Sequence, residues 1–218
     1  YDNTVVGNEA GKAFTSANSN SIFGHAAADA LTTGERNIAI GHNAMGATNG
    51  SESRNIAIGW SALLSMDTDG NNYNIAIGYN AGAGITTGIR NTIMGALAGD
   101  AVTSGNDNLL LGYNAGSAMT SAQQNTAVGA FAADALTIGT ANVALGYQAL
   151  ATSVDGDFNT ALGYKALEDY EDGDGNGHNT AVGSKSQLNA TTGEFNTSVG
   201  SLSMGVGVTT GDSNVAIG

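Results

Sequence analysis

Asn37-Ile38-Ala39-Ile40-Gly41 is one instance of a five-residue phrase that recurs along the whole chain. Written as Asn, any residue, a small or apolar residue, a large apolar residue and Gly, it starts at Asn3, Asn20, Asn37, Asn55, Asn74, Asn91, Asn108, Asn125, Asn142, Asn159, Asn179, Asn196 and Asn214. Eight of the twelve intervals are 17 residues and the others are 18, 19, 20 and 18, so the period holds and extra residues are absorbed locally. A fixed short period decides the fold before any single residue does: each repeat is one unit stacked on the next.

Numbering each repeat from its Asn, position 4 is always large and apolar and position 5 is always Gly. Position 8 is Ala in ten copies, then Ser186 and Ser203, and positions 13 to 15 often read Thr-Thr-Gly or Thr-Ser-Gly. A strand, a Gly corner, a second short strand through the position 8 alanine and a Thr/Gly/Asn turn fit into 17 residues, whereas a helix and a strand do not. The expected fold is all-β: a parallel β-solenoid with 17-residue coils, residues 1–218 forming a single array. Coils about 4.8 Å apart predict roughly 58 Å of rod. Equivalent residues then stack, so the anchor asparagines form an amide ladder.

Strand alternation puts positions 2 and 4 on one face and position 3 on the other. Position 3 is also small or apolar, with Ser198 the exception, so both faces read as dry and the strand needs a neighbour on each side. The mostly alanine position 3 is expected to be the row that sister chains approach.

Composition excludes several classes. Nineteen acidic residues against six Lys and Arg leave a formal charge of −13, which opposes nucleic acid binding and an anionic membrane surface. No apolar run approaches the roughly 20 residues that span a bilayer. Pro and Cys are absent, which suits a chain whose backbone N–H groups are nearly all used in ladders and rules out disulfides. Because the chain opens two residues before an anchor and stops at Gly218 without a polar cap, it reads as a segment of a longer protein.

The phrases Asn55-Ile-Ala-Ile-Gly59, Asn125-Thr-Ala-Val-Gly129 and Asn179-Thr-Ala-Val-Gly183 resemble the head repeats of trimeric autotransporter adhesins, the YadA-like head. The longer period, with Thr-Thr-Gly before the next Asn, is similar to repeats in phage tail fibres. This resemblance implies a left-handed β-roll, a homotrimer, and a shaft or receptor-binding role on a virion or at a cell surface. The absence of a neck, coiled-coil stalk or membrane anchor in the 218 residues favours the fibre.

Position 6 is where the repeats stop agreeing, and from His25 through His42 and Trp60 to Tyr79 it carries only rings. Two readings stand: a strip that stacks on sugar rings or meets a protein receptor, or rings that stack on each other and shield the ladder. Asp172-Gly173-Asp174-Gly175-Asn176-Gly177 matches the opening of a calcium loop, with Asp172, Asp174 and Asn176 as candidate ligands. The bidentate Glu of such a loop would fall on Gly183, so a solvated acidic turn is the competing reading, and calcium is an option rather than a required cofactor. Asp67-Thr68-Asp69-Gly70-Asn71 is a weaker echo.

Enzymatic signals are poor. His25 and His42 are repeat-position residues, His178 precedes an anchor, and no nucleophile elbow stands out. Asp155, Asp157, Glu168 and Asp169 supply carboxylates for a glycosidase-like pair, and Gly82 to Gly88 lacks the Lys of a phosphate loop. The expected role is therefore structural and adhesive, not catalytic. A self-assembling filament or sheath without a specific ligand is the alternative, and a polysaccharide-degrading spike comes third.

Overall fold

Each anchor phrase forms a three-residue strand at positions 2 to 4, and the Gly that follows ends it. The computed structural model describes residues 2–48, 50–170, 177–208 and 210–218. The chain divides into two compact units, Tyr1–Asp107 and Asn108–Gly218. The first holds β1 (Thr4–Val6), β2 (Ser21–Phe23), β3 (Ile38–Ile40), β4 (Ile56–Ile58), β5 (Ile75–Ile77) and β6 (Thr92–Met94). The second holds β7 (Leu109–Leu111), β8 (Thr126–Val128), β9 (Val143–Leu145), β10 (Thr160–Leu162), β11 (Thr180–Val182), β12 (Thr197–Val199) and β13 (Val215–Ile217). No helix occurs among the described residues.

Within each unit, strands adjacent in sequence pair in parallel with no stagger, position against position: Ala39 meets Ala57, and Ala57 meets Ala76. The register survives the longest interval, where Ala161 still meets Ala181, because added residues go into the turn and never into the strand. The fold is a parallel β-solenoid, one repeat per coil, as the period requires.

The anchor amide does two jobs. In the second unit, Asn125 Nδ2 donates across its own coil to the carbonyl of Gly139 at 2.8 Å, and Asn125 Oδ1 accepts the backbone N–H of Asn142 in the next coil at 2.9 Å. Asn91 repeats this in the first unit, with Nδ2 on Gly105 O at 2.8 Å and its N–H on Asn74 Oδ1 at 2.9 Å. A short side chain carrying both a donor and an acceptor closes one coil and ties it to the next, so Asp, which lacks the donor when ionised, is a poor replacement. Threonine hydroxyls add a second ladder, for example Thr137 Oγ1 to Val154 O at 2.9 Å.

Two expectations are corrected. The segment after the Gly corner is a turn, not a second strand. Positions 7 and 9 hold positive φ in every coil that contains them, as at Asn43 (55°) and Met45 (54°), as does the residue preceding each anchor. Left-handed residues alternating with ordinary ones cannot stay extended, but they let a 17-residue lap reverse tightly. The backbone there still pairs between coils: Asn43 N–H reaches His25 O at 3.0 Å, and Met45 N–H reaches Ala62 O at 2.9 Å.

The second correction concerns the alanine row. Position 3 points into its own coil: Ala39, Ala57 and Ala76 in the first unit, and Ala127, Ala161 and Ala181 in the second, are fully buried within the single chain. Its neighbours include the side chains of positions 9 and 12, and crowding among them is adjusted coil by coil. Where position 3 is Ala57, positions 9 and 12 are Leu63 and Met66; where it is Leu110, they are Gly116 and Met119. A β-carbon on Gly116 would lie 2.9 Å from both Leu110 Cδ2 and Met119 Sδ, so the small residue at position 9 compensates the large one at position 3. The alanines are therefore core, and the opposite strand face is the open one.

Candidate functional site

The open face is built from positions 2 and 4. Every position 4 side chain is a large apolar residue turned away from the coil interior, and Ile40, Met94, Leu145 and Leu162 expose 39 to 41% of their surface. Position 2 adds Ile38, Ile56 and Ile75 in the first unit and mainly threonine in the second. Scattered exposed aliphatics are ordinary, but aliphatic rows on consecutive paired strands form a contiguous apolar stripe of the kind that marks an interaction surface.

Ring columns flank the corner. His25 and His42 stack with centroids 4.9 Å apart, and His42 and Trp60 stack at 4.2 Å with planes 18° apart. His42 Nδ1 is buried without a hydrogen-bond partner, whereas Trp60 and Tyr79 are about half exposed, at 54% and 53%. The column expected from His25 to Tyr79 is thus a stack of three rings. Among the described residues no ring contact joins Trp60 to Tyr79, although their backbones stay laddered through Asn80 N–H to Trp60 O at 2.9 Å. The backbone fixes the spacing, while a half-exposed ring chooses its own rotamer.

In the second unit the column runs through a residue that the position 6 reading omits. Phe131, at position 7, replaces the small Ala130 and meets Tyr113 edge-on at 5.3 Å and Tyr147 edge-on at 6.1 Å; Tyr147 then stacks on Tyr164 at 5.6 Å. A second column, formed by residues immediately preceding the anchors, stacks Phe158 on His178 at 4.8 Å and His178 on Phe195 at 4.9 Å. Its signal was present in the sequence as an aromatic residue directly before three successive anchors. The same column in the first unit carries Arg54 over Tyr73 and a bidentate Arg90–Asp107 pair at 2.6 and 2.8 Å. The candidate calcium ligands Asp172, Asp174 and Asn176 lie outside the described residues.

Several carboxyl groups are perturbed. Burial pushes the pKa of Glu52, Asp100, Asp134 and Asp169 above the ordinary carboxylate range, with repulsion from Glu168 adding to the effect at Asp169. The hydrogen bonds from Arg90 hold Asp107 below that range. A raised folded-state pKa means that the folded chain binds more protons, so these four groups stabilise it at low pH and lose that contribution as pH rises through their folded values. Asp107 acts oppositely, but only below its ordinary value. The thermal midpoint, followed by circular dichroism, should therefore rise as pH is lowered from neutrality through the raised folded-state values of these groups, and less so in an Asp100→Asn, Asp134→Asn double variant. A falling midpoint over that window would contradict this.

No protein-family model, no curated protein and no solved structure matches this chain.

Proposed function

We propose that the chain is a structural and receptor-binding segment of an extracellular or virion fibre, working as a left-handed β-roll homotrimer. The observation that carries this is the apolar stripe of positions 2 and 4. Each coil already fills its own interior with positions 3, 8, 9 and 12, so a second, solvent-facing set of aliphatics on paired strands has no use within the chain. Three copies turning those faces to a common axis would bury it, and three is the count implied by the resemblance to adhesin heads and tail fibres. The remaining surface would then carry recognition: turns that vary between coils, and ring columns led by His25, His42, Trp60 and Tyr79.

Half-exposed rings held at coil spacing suit stacking on the apolar faces of sugars, and symmetry multiplies a weak site wherever the target is repetitive. Electrophoresis through gels cast with host-surface polysaccharides tests this. The parent chain is expected to be retarded, and Trp60→Ala to bind roughly 10- to 30-fold more weakly, the usual effect of truncating an aromatic anchor. Equal retardation of variant and parent would remove the ring column from recognition.

A further inference from the structure

Two consecutive coils in the first unit exceed the 17-residue period: the interval from Asn37 to Asn55 is 18 residues and that from Asn55 to Asn74 is 19. Their extra residues fall in the turns around Gly50 to Glu52 and Asp67 to Gly70, which the sheet register brings one above the other. Ser51 donates to Asp69 Oδ1 from both its backbone N–H and its hydroxyl, each at 3.0 Å, so the two turns are tied together.

Within this corner Glu52 is fully buried. Its Oε2 accepts the N–H of Gly50 at 3.0 Å, but its Oε1 has no hydrogen-bond partner. A β-carbon on Gly50 would fall on Asp69 Oδ1 and 3.3 Å from Glu52 Oε1, so oxygens of both carboxylates converge beside Gly50, where only a glycine lets them approach. The carboxylates of Asp69 and Asp67 both act on Glu52 by charge repulsion. The ion pairs of the described residues, Lys12–Glu9, Arg36–Glu35, Arg90–Asp107 and Lys165–Glu168, include none of the three. A buried carboxylate oxygen with no donor, facing a second carboxylate and no cation, is a costly arrangement that a bound cation would relieve.

We propose that Glu52 and Asp69 bind a divalent cation of calcium size between these two turns. Hard oxygen donors select calcium or magnesium over metals that prefer nitrogen and sulfur. Calcium tolerates the irregular mixture of carboxylate, backbone carbonyl and water that two turns can supply, whereas magnesium demands a near-ideal octahedron. No set of three or more His, Cys, Asp and Glu side chains converges as a cage among the described residues, so carbonyls and water complete the shell. The ion would pin the two coils where the period is broken, and Asp69 belongs to the same coil as Trp60.

Calorimetric titration of the intact, chelator-treated chain with calcium chloride tests the site, paired with thermal unfolding with and without calcium. The acidic turn at Asp172 and Asp174 is controlled by an Asp172→Asn, Asp174→Asn variant, which should keep the Glu52 binding event. Glu52→Gln and Asp69→Asn should each lose it, and with it the calcium-induced rise in midpoint. Without calcium, Glu52→Gln should melt above the parent, because it removes a buried, unpaired charge. Asp69 is exposed, so Asp69→Asn keeps the test valid even where Glu52→Gln disturbs folding. Parent-like binding by both single variants, or a parent chain with neither binding heat nor midpoint shift, would overturn the proposal.

Discussion

Alanine in place of Gly129 is expected to cost the second unit at least about 3 kcal/mol, because backbone strain and a steric clash add at a site that cannot relax. Gly129 sits at φ 133°, and an added β-carbon would lie 2.5 Å from the carbonyl oxygen of Gly146 in the next coil. That carbonyl belongs to another corner glycine held in its own ladder, so moving it away parts two coils. Gly207 is the matched control: its φ is also positive, at 91°, but a β-carbon there meets nothing within 4 Å. Gly207→Ala should therefore show the strain without the clash. Chemical denaturation at fixed protein concentration measures both, and a Gly129→Ala chain within about 1 kcal/mol of the parent would mean that the corner is not close-packed.

In the proposed trimer, lysine at position 58 is expected to separate the chains without unfolding them. Ile58 points outward from β4, laddered between Ile40 and Ile77, and is half-buried in the isolated chain. Around a common axis each Ile58→Lys copy would bring a charge against its symmetry mates, and such like-charge contacts cost several kcal/mol, enough to weaken association by roughly a thousandfold. Its neighbour gives the opposite outcome. Ala57 is fully buried inside the coil, so Ala57→Lys should unfold the local stack rather than dissociate an oligomer. Circular dichroism and native mass distinguish the two: Ile58→Lys keeps the spectrum and loses mass, and Ala57→Lys loses both.

The contrast between Ile58 and Ala57 also marks what the sequence could and could not say. The repeat settled the strand, the corner and the coil, because the stacked copies within each unit force register, and a glycine column is required wherever a β-carbon would strike the next carbonyl. Alternation separated two strand faces but not inside from outside, since alanine suits a crowded interior and a close interface equally well. Burial of position 3 within the single chain decides it; the nearest sequence signal is at position 9, where Gly99 and Gly116 accompany Ile93 and Leu110, and it is blurred by Gly82, which accompanies Ala76. The missing second strand has a similar cause. Asn80, Asn114, Gly82 and Gly116 favour left-handed backbone, but Leu63, Leu150 and Leu167 hold it too, their intrinsic cost offset by burial in the core. Phe131 and the Phe158–His178–Phe195 column went unseen because the reading followed position 6 alone, while positive φ at neighbouring positions turned other rings into columns.

Light scattering of the intact chain in solution is the most direct test of whether the stripe of positions 2 and 4 meets copies of itself. The expected mass is three times the 21.6 kDa of one chain, falling to that of one chain in Ile58→Lys. A parent chain that stays well folded at the mass of a single copy, with Ile40, Ile58 and Leu145 wet, would contradict the trimeric fibre.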